Sequence, residues 1–269
     1  MTRFLTKTFI LLLLLFLSLD YVGAQTQQRV ILPLNKHFFE ANPSDSSNHI
    51  FTQIYSPVTK TTKIYIKSNR LVKSIEDDIN PEGGFNQRTI NRYDSLGRLS
   101  SKTIKNLDDP NFITYYLESD TIRGEVVSIG NTQITITRAN RPNPYQNMWN
   151  DFEPRPKISK EEWYKFLAAN LNYPTQAGRT KQTGTVYIAL LIDKEGEILR
   201  KELANPENVP EVLAREAMRV INYYPGGFFS ALDTDTHHST QWAYIPIRFS
   251  LGGEITPSGN AEFDPQGIR

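Results

Sequence analysis

Between Arg29 and Ala139 apolar and polar residues alternate in short runs, such as 62–67, 88–93, 99–105 and 133–137, each bounded by clusters of Asn, Asp, Gly and Ser. Period-two alternation broken by turn formers predicts β-strands joined by tight turns. No stretch of this half carries a helical period of useful length. Tyr65 precedes Leu71 by six residues, Tyr93 precedes Leu99 by six and Tyr116 precedes Ile122 by six, each pair spanning a polar turn. The matched spacings fit hairpin repeats or an ordinary antiparallel meander, and they leave the two readings open. Either way, the Leu96-Gly97 turn needs glycine for a positive φ.

The period changes after residue 157. Ser159 and Glu162 form a capping-box pair, and Trp163, Phe166, Leu167 and Leu171 recur as one apolar helical stripe that Pro174 brings to an end. Residues 185–192 are β-branched and aliphatic, Asp193-Lys194-Glu195-Gly196 reads as a turn, and 197–203 returns as its partner strand. After Pro210 a second helix is marked by Leu213, Ala217, Val220 and Ile221, and Tyr223-Tyr224-Pro225-Gly226-Gly227 breaks it. A last strand runs over 241–250. The order helix, hairpin, helix, strand predicts an α+β unit in which two helices pack on a small three-stranded antiparallel sheet, preceded by the all-β meander or hairpin-repeat segment. Pro246 lies inside the last strand, and a proline lacks the ladder donor, so this strand is expected at a sheet edge. Such an edge accepts an extended visitor through main-chain hydrogen bonds, or else is blocked by its own proline and neighbouring loops.

Composition divides the chain further. Pro142, Pro144, Pro154 and Pro156, four of the 16 prolines, mark 140–156 as a linker between a β-rich domain at 29–139 and the unit at 157–251, with Trp149 and Phe152 expected to pin it to a neighbour. Residues 252–269, rich in Gly, Pro, Ser and Asn, read as a flexible tail. At the other end, Arg3 and Lys7, the apolar run 9–19 and Val22-Gly23-Ala24 form the pattern of a cleavable signal peptide over 1–24. Its apolar run of about eleven residues falls short of the roughly twenty needed to span hydrocarbon. Cleavage removes Arg3, Lys7 and Asp20 and leaves a formally neutral chain. A balance of 30 basic against 29 acidic residues excludes a strongly basic nucleic-acid binder. With no cysteine there are no disulfides, thiolate nucleophiles or zinc ribbons, and an exported chain of this kind suits a bacterial envelope, periplasmic or secreted.

Catalytic chemistry is sparse. No G-x-S-x-G, H-E-x-x-H, phosphate-binding loop or dinucleotide fingerprint occurs, and no cofactor is expected. Asp233, Asp235, His237 and His238 share one stretch, but adjacent histidines lack ligand-converging spacing, so a polar surface loop is expected rather than a metal site. Asp77-Asp78 and Asp108-Asp109 lie in polar turns without an apolar pocket to separate their titrations, and read as solvated turns. The chain is expected not to be an enzyme.

Leu171-Asn172-Tyr173-Pro174, Gly184-Thr185-Val186-Tyr187-Ile188, Asp193-Lys194-Glu195-Gly196, Ala214-Arg215-Glu216-Ala217, Tyr223-Tyr224-Pro225-Gly226 and Tyr244-Ile245-Pro246-Ile247-Arg248-Phe249 follow in order. Together, residues 157–251 resemble the C-terminal domain of the TonB family. The resemblance implies a periplasmic domain that grips an extended peptide, such as the TonB-box segment of outer-membrane TonB-dependent receptors. It places partner contacts at Tyr173 and Pro174 and, by strand addition, at Gln241, Trp242, Tyr244, Ile245, Pro246, Ile247, Arg248 and Phe249. Arg92-Tyr93-Asp94-Ser95-Leu96-Gly97-Arg98-Leu99 is in turn similar to the unit of YD-repeat and MORN-like exported proteins. Two features depart from a TonB energy transducer: a cleavable-looking leader where a membrane anchor belongs, and a β-rich segment where a long Pro-rich spacer belongs. The stretch 228–240 is also longer than the usual turn before the last strand. The expected role is an exported envelope protein binding a peptide or protein partner. The alternatives are a membrane-anchored transducer, with membrane contact only if the leader stays uncleaved, and a scaffold that binds through its β-rich half.

Overall fold

The computed structural model describes residues 29–130, 133–251 and 255–257. The leader expected over 1–24 lies outside the described residues, as do 252–254 and 258–269 of the tail. The first half is one sheet of ten antiparallel strands, each paired with the next in sequence. They are β1 (Val30–Leu34), β2 (Phe51–Ser56), β3 (Thr61–Ile66), β4 (Leu71–Ile79), β5 (Asn86–Tyr93), β6 (Leu99–Asn106), β7 (Phe112–Glu118), β8 (Thr121–Ser128), β9 (Ile134–Arg138) and β10 (Tyr145–Asn147). Ile75, Ile90, Thr103, Thr114, Val126 and Ile136 stand opposite one another on successive strands and are all buried. In the middle of this row the two threonines share a hydrogen bond at 3.0 Å, so no buried hydroxyl is left unmet there.

The six-residue spacing has its cause in turn geometry. Tyr65 faces Leu71 and Tyr93 faces Leu99, and in both hairpins the register shifts by one residue just before the tyrosine. The two turns share one hydrogen-bond pattern, Asn69 N–H to Ile66 O and Gly97 N–H to Asp94 O, with Asn69 and Gly97 both left-handed at φ 59° and 80°. This is a tight turn followed by a bulge whose left-handed residue favours Gly or Asn. The third hairpin departs from the pattern. Ser119 and Asp120 are both left-handed and make a two-residue turn, so Ile122 faces Leu117 rather than Tyr116.

The second half contains β11 (Arg155–Pro156), α1 (Lys160–Asn170), α2 (Thr175–Arg179), β12 (Gly184–Ile192), β13 (Ile198–Leu203), α3 (Glu211–Tyr223), β14 (Phe228–Phe229), β15 (Ala231–Leu232), β16 (His238–Ser239), β17 (Gln241–Phe249) and β18 (Ile255–Pro257). The capping box forms: Ser159 Oγ accepts from Glu162 N–H, and the Glu162 carboxylate accepts from Ser159 N–H. Trp163, Leu167 and Leu171 then bury against Leu213, Ala217, Val220 and Ile221 of α3 and against one face of the sheet, supplied by alternate residues of β12 and β17. The hairpin turn is again the bulged type, with Gly196 at φ 91° and a β-carbon there only 2.2 Å from Phe228 O.

Two expectations need correction. A third, short helix, α2, restarts directly after Pro174, which stands at its N-cap and accepts from Gly178 N–H at 3.0 Å. The sheet has four strands, in the order β13-β12-β17-β18, because three residues of the tail add a strand beyond β17. The strand carrying Pro246 is therefore internal at its C-terminal third and not the simple edge expected.

The two halves are bracketed together through the proline-rich stretch and the long loop after α3. β11 pairs with β14, and Leu232 N–H donates to Asp151 O at 2.8 Å. Arg138 and Asp151, both buried, form an ion pair at 2.7 Å; Tyr145 O–H donates to the same carboxylate at 2.6 Å, and Arg138 also donates to Asp233 O. Phe152 stacks on Tyr116 and lies against Gly124, where a β-carbon would meet its ring at 2.4 Å. Arg123 reaches Asp235 at 2.8 Å.

Candidate functional site

β17 is the strand from which the candidate site is built. It pairs along all nine residues with β12, and β18 covers the other flank only at Ile247, Arg248 and Phe249. Among the described residues no strand lies on that flank over 241–246. The direction of the main chain follows from Tyr187. Its N–H donates to Asn205 Oδ1 and its C=O accepts from Ala204 N–H, so both groups point toward the β13 side. Pro246, its partner on β17, then turns its nitrogen and carbonyl away from β12, toward the β18 flank. The missing N–H of Pro246 costs the central ladder nothing. By the same alternation residues 242, 244, 246 and 248 present their main chain to that flank.

The expected site residues fall into three groups. Ile245, Ile247 and Phe249 are buried against the helices, and by the same alternation their main chain faces β12, so they support the strand and leave the other flank to 242, 244, 246 and 248. The ring of Tyr173 meets Phe249 edge-on with centroids 6.0 Å apart, and its hydroxyl donates to Gln182 O, so it and Pro174 stand at the C-terminal end of β17 and punctuate the helices. Trp242 and Tyr244 turn to the opposite face of the sheet, as Pro246 and Arg248 do by alternation, and Gln241 Nε2 donates to Ser239 Oγ at 2.9 Å.

That opposite face is occupied. The loop after β1 brings Phe39 onto Tyr187, Ala189 and Ala204, with Trp242 and Tyr244 alongside. Asn35 Nδ2 donates to Ala204 O at 2.9 Å. His37, 3% exposed, lies edge-on to Trp242, with Nε2 3.0 Å from Glu202 and Nδ1 3.2 Å from Tyr244 Oη. A neutral ring that donates through Nε2 to the carboxylate and accepts the Tyr244 proton at Nδ1 satisfies all three groups. Burial pushes the His37 pKa down against the opposing pull of Glu202, and burial pushes the Tyr244 hydroxyl well up. Burial alone would raise Glu202, but hydrogen bonds from Lys36 and His37 outweigh it and hold the carboxyl below its ordinary range. Asn35, Lys36, His37 and Glu202 escape a reading of the sequence because no local pattern connects residues some 165 positions apart.

The acidic and histidine-bearing loop is built as a turn. Asp233 Oδ1 accepts from the N–H of Asp235 and of His237, Asp235 pairs with Arg123, and His238 Nδ1 meets Ser230 Oγ at 2.5 Å. Among the described residues no group of three or more His, Cys, Asp or Glu converges as a metal site. Asp77 is held by Arg88, Asp108 accepts from the N–H and the side-chain amide of Asn86 at the start of β5, and Asp109 accepts from Asn111 N–H within its own loop.

The sheet is antiparallel and covered by helices, and β17 has no strand beside it along part of one flank among the described residues. Residues 169–251 match the family model for the Gram-negative bacterial TonB protein C-terminal. The match opens inside α1 and covers the sheet through β17, well under half of the chain. TonB C-terminal domains are non-enzymatic transport and protein-interaction modules whose partners are outer-membrane proteins. No curated protein and no solved structure matches the chain. No helix among the described residues is long and apolar enough to cross a membrane.

Proposed function

We propose that this is an exported envelope protein whose TonB-like domain binds an extended segment of a partner protein, of the TonB-box class, by strand addition to β17. One observation carries the reading: over 241–246 the strand has β12 on one flank and no strand among the described residues on the other, while its alternate main-chain groups point to that open flank. Main-chain pairing supplies affinity in this mode. The match over 169–251 supports the partner class. Periplasmic placement rests on the leader pattern at 1–24 and on where domains of this family work.

The test separates main chain from side chain. Trp242→Pro removes an N–H that faces the open flank and leaves the β12 ladder intact, just as Pro246 does in the native strand, whereas Trp242→Ala removes only the ring. Binding of a synthetic TonB-box peptide, followed by calorimetry, is expected to survive Trp242→Ala and to weaken up to about tenfold with Trp242→Pro, the loss of one hydrogen bond. Equal binding by both variants refutes strand addition along this segment.

A second reading, that the β-rich half binds and the TonB-like domain anchors it, draws on one fact. The outer face of the TonB-like sheet is committed to the loop carrying His37 and Phe39. Binding that persists when residues 157–269 are deleted would favour it.

A further inference from the structure

Resting on strand addition as the mode of binding, we infer that the C-terminal tail is a resident occupant of the β17 flank, which an incoming segment must displace to use the strand beyond Pro246. Ile255–Pro257 pairs antiparallel with β17, Ile247 facing Pro257, Arg248 facing Thr256 and Phe249 facing Ile255. Arg248 is the residue of that trio whose main chain points to the flank, so Arg248 and Thr256 form the hydrogen-bonded pair, and Ile255 and Pro257 turn their main chain outward. One end of the pairing and the outer edge of the tail are then explained by proline. The next main-chain position along β17 is Pro246, which has no N–H to give, and on the outer side Pro257 denies a donor to any further strand. The tail thus fills the one complete donor–acceptor unit C-terminal of Pro246 and caps the sheet behind it.

The flank is divided in two. Trp242 and Tyr244 lie on the N-terminal side of Pro246, where no strand pairs among the described residues, and Arg248 lies on the C-terminal side under the tail. Only a few residues separate Phe249 from Ile255, so the tail acts at a high effective concentration and competes without tight intrinsic affinity. The class of segment that takes its place is set by the tail itself: a short extended run with an unblocked amide opposite Arg248, β-branched residues beside it, and a proline tolerated one position further, where its nitrogen faces away. Competition of this kind makes partner capture conditional on release of the tail.

The test compares the full chain with a chain ended after Leu251, and with a full-length Thr256→Pro variant that keeps the length of the tail but loses the amide facing Arg248. Two probes are used, a synthetic TonB-box peptide and a synthetic peptide of residues 251–260. Loss of the tail, by either route, is expected to tighten TonB-box binding by at least about threefold. It is also expected to speed hydrogen exchange at the Arg248 amide, and the 251–260 peptide added to the shortened chain should slow that exchange again. Unchanged Arg248 exchange and unchanged affinity in both variants overturn the inference while leaving the reading of β17 standing, since a partner confined to 241–246 never meets the tail. Absence of TonB-box binding to any of the three proteins, with faster exchange in the variants, instead removes the binding reading and keeps the tail in its place.

Discussion

Replacing Asp151 by alanine tests whether the two halves are held by a buried charge or by packing alone. In the native chain the side chains of Arg138 and Asp151 are 1% and 6% exposed and 2.7 Å apart. Burial works against the Arg138 charge, but hydrogen bonds with Tyr145 and Asp151 outweigh it and raise its pKa, so the guanidinium stays charged in the folded state. Asp151→Ala leaves that cation with Tyr145 Oη at 3.2 Å, the Asp233 carbonyl and the face of Phe152 at 3.8 Å, none of which carries a negative charge. Breaking one side of a buried pair costs about 3–5 kcal/mol. For a folded body of roughly 200 residues each kcal/mol moves the melting midpoint by about 2–4 °C, so a fall of roughly 6–20 °C is expected. Removing both charges, in Arg138→Met with Asp151→Ala, is expected to cost less than the sum of the single changes by about 1–3 kcal/mol. Thermal and urea denaturation of the four proteins measures this. A cost under about 1 kcal/mol for Asp151→Ala, or strict additivity in the double variant, would refute the argument that the charge joins the halves.

The bulged turns make opposite predictions for glycine. Gly196→Ala places a β-carbon on Phe228 O and forces a left-handed alanine, so it should lower stability by about 1–3 kcal/mol in urea unfolding, whereas Thr236, β-branched and exposed at φ 70°, should be improved by about 1 kcal/mol as Thr236→Gly. His37 adds a pH dependence. With its pKa lowered in the folded chain from the ordinary 6.5, the unfolded chain takes up the proton first as pH falls, so stability should decline below about pH 7 until the folded ring also protonates, and His37→Gln should flatten that slope between pH 7.5 and 5.5. Lys36, Glu202 and Tyr244 face the ring from both halves, so a slope unchanged in His37→Gln assigns the pH response to Glu202 or elsewhere.

Local chemistry was legible where one segment carries all of its own reasons. Ser159 and Glu162 form the capping box, Trp163, Leu167 and Leu171 bury together, and Gly97 and Gly196 take the positive φ their turns require. The same turn at Asp233–His237 has threonine in place of glycine and is silent to a reader looking for Gly. Non-local chemistry left no trace in composition. The proline-rich stretch announces irregular backbone, yet its Asp151 is there to neutralise an arginine on β9, and nothing nearby signals that use. His37 and Glu202 belong to different halves and meet only because a sixteen-residue connection after β1 folds over the second sheet. β18 is shorter than any pattern of alternation can register, and it is the element that changes the role of β17.

Pro246 shows how a correct rule about proline can be read too broadly. A proline in a strand reports the flank its nitrogen faces, and that flank alone lacks a donor. Here the donor-poor flank is the one away from β12, so the strand pairs fully on its inner side while its outer side is interrupted at a single position. The side chains of Trp242 and Tyr244 are committed to His37 and Phe39, and those of Ile245, Ile247 and Phe249 to the helices, so a partner bound as proposed would meet the outer flank of β17 chiefly through its main chain. Main-chain recognition discriminates poorly between sequences unless register is fixed. For the proposed strand addition the one residue that cannot donate would set the register, with the tail on one side of it and, on the other, a length of flank that no strand pairs among the described residues.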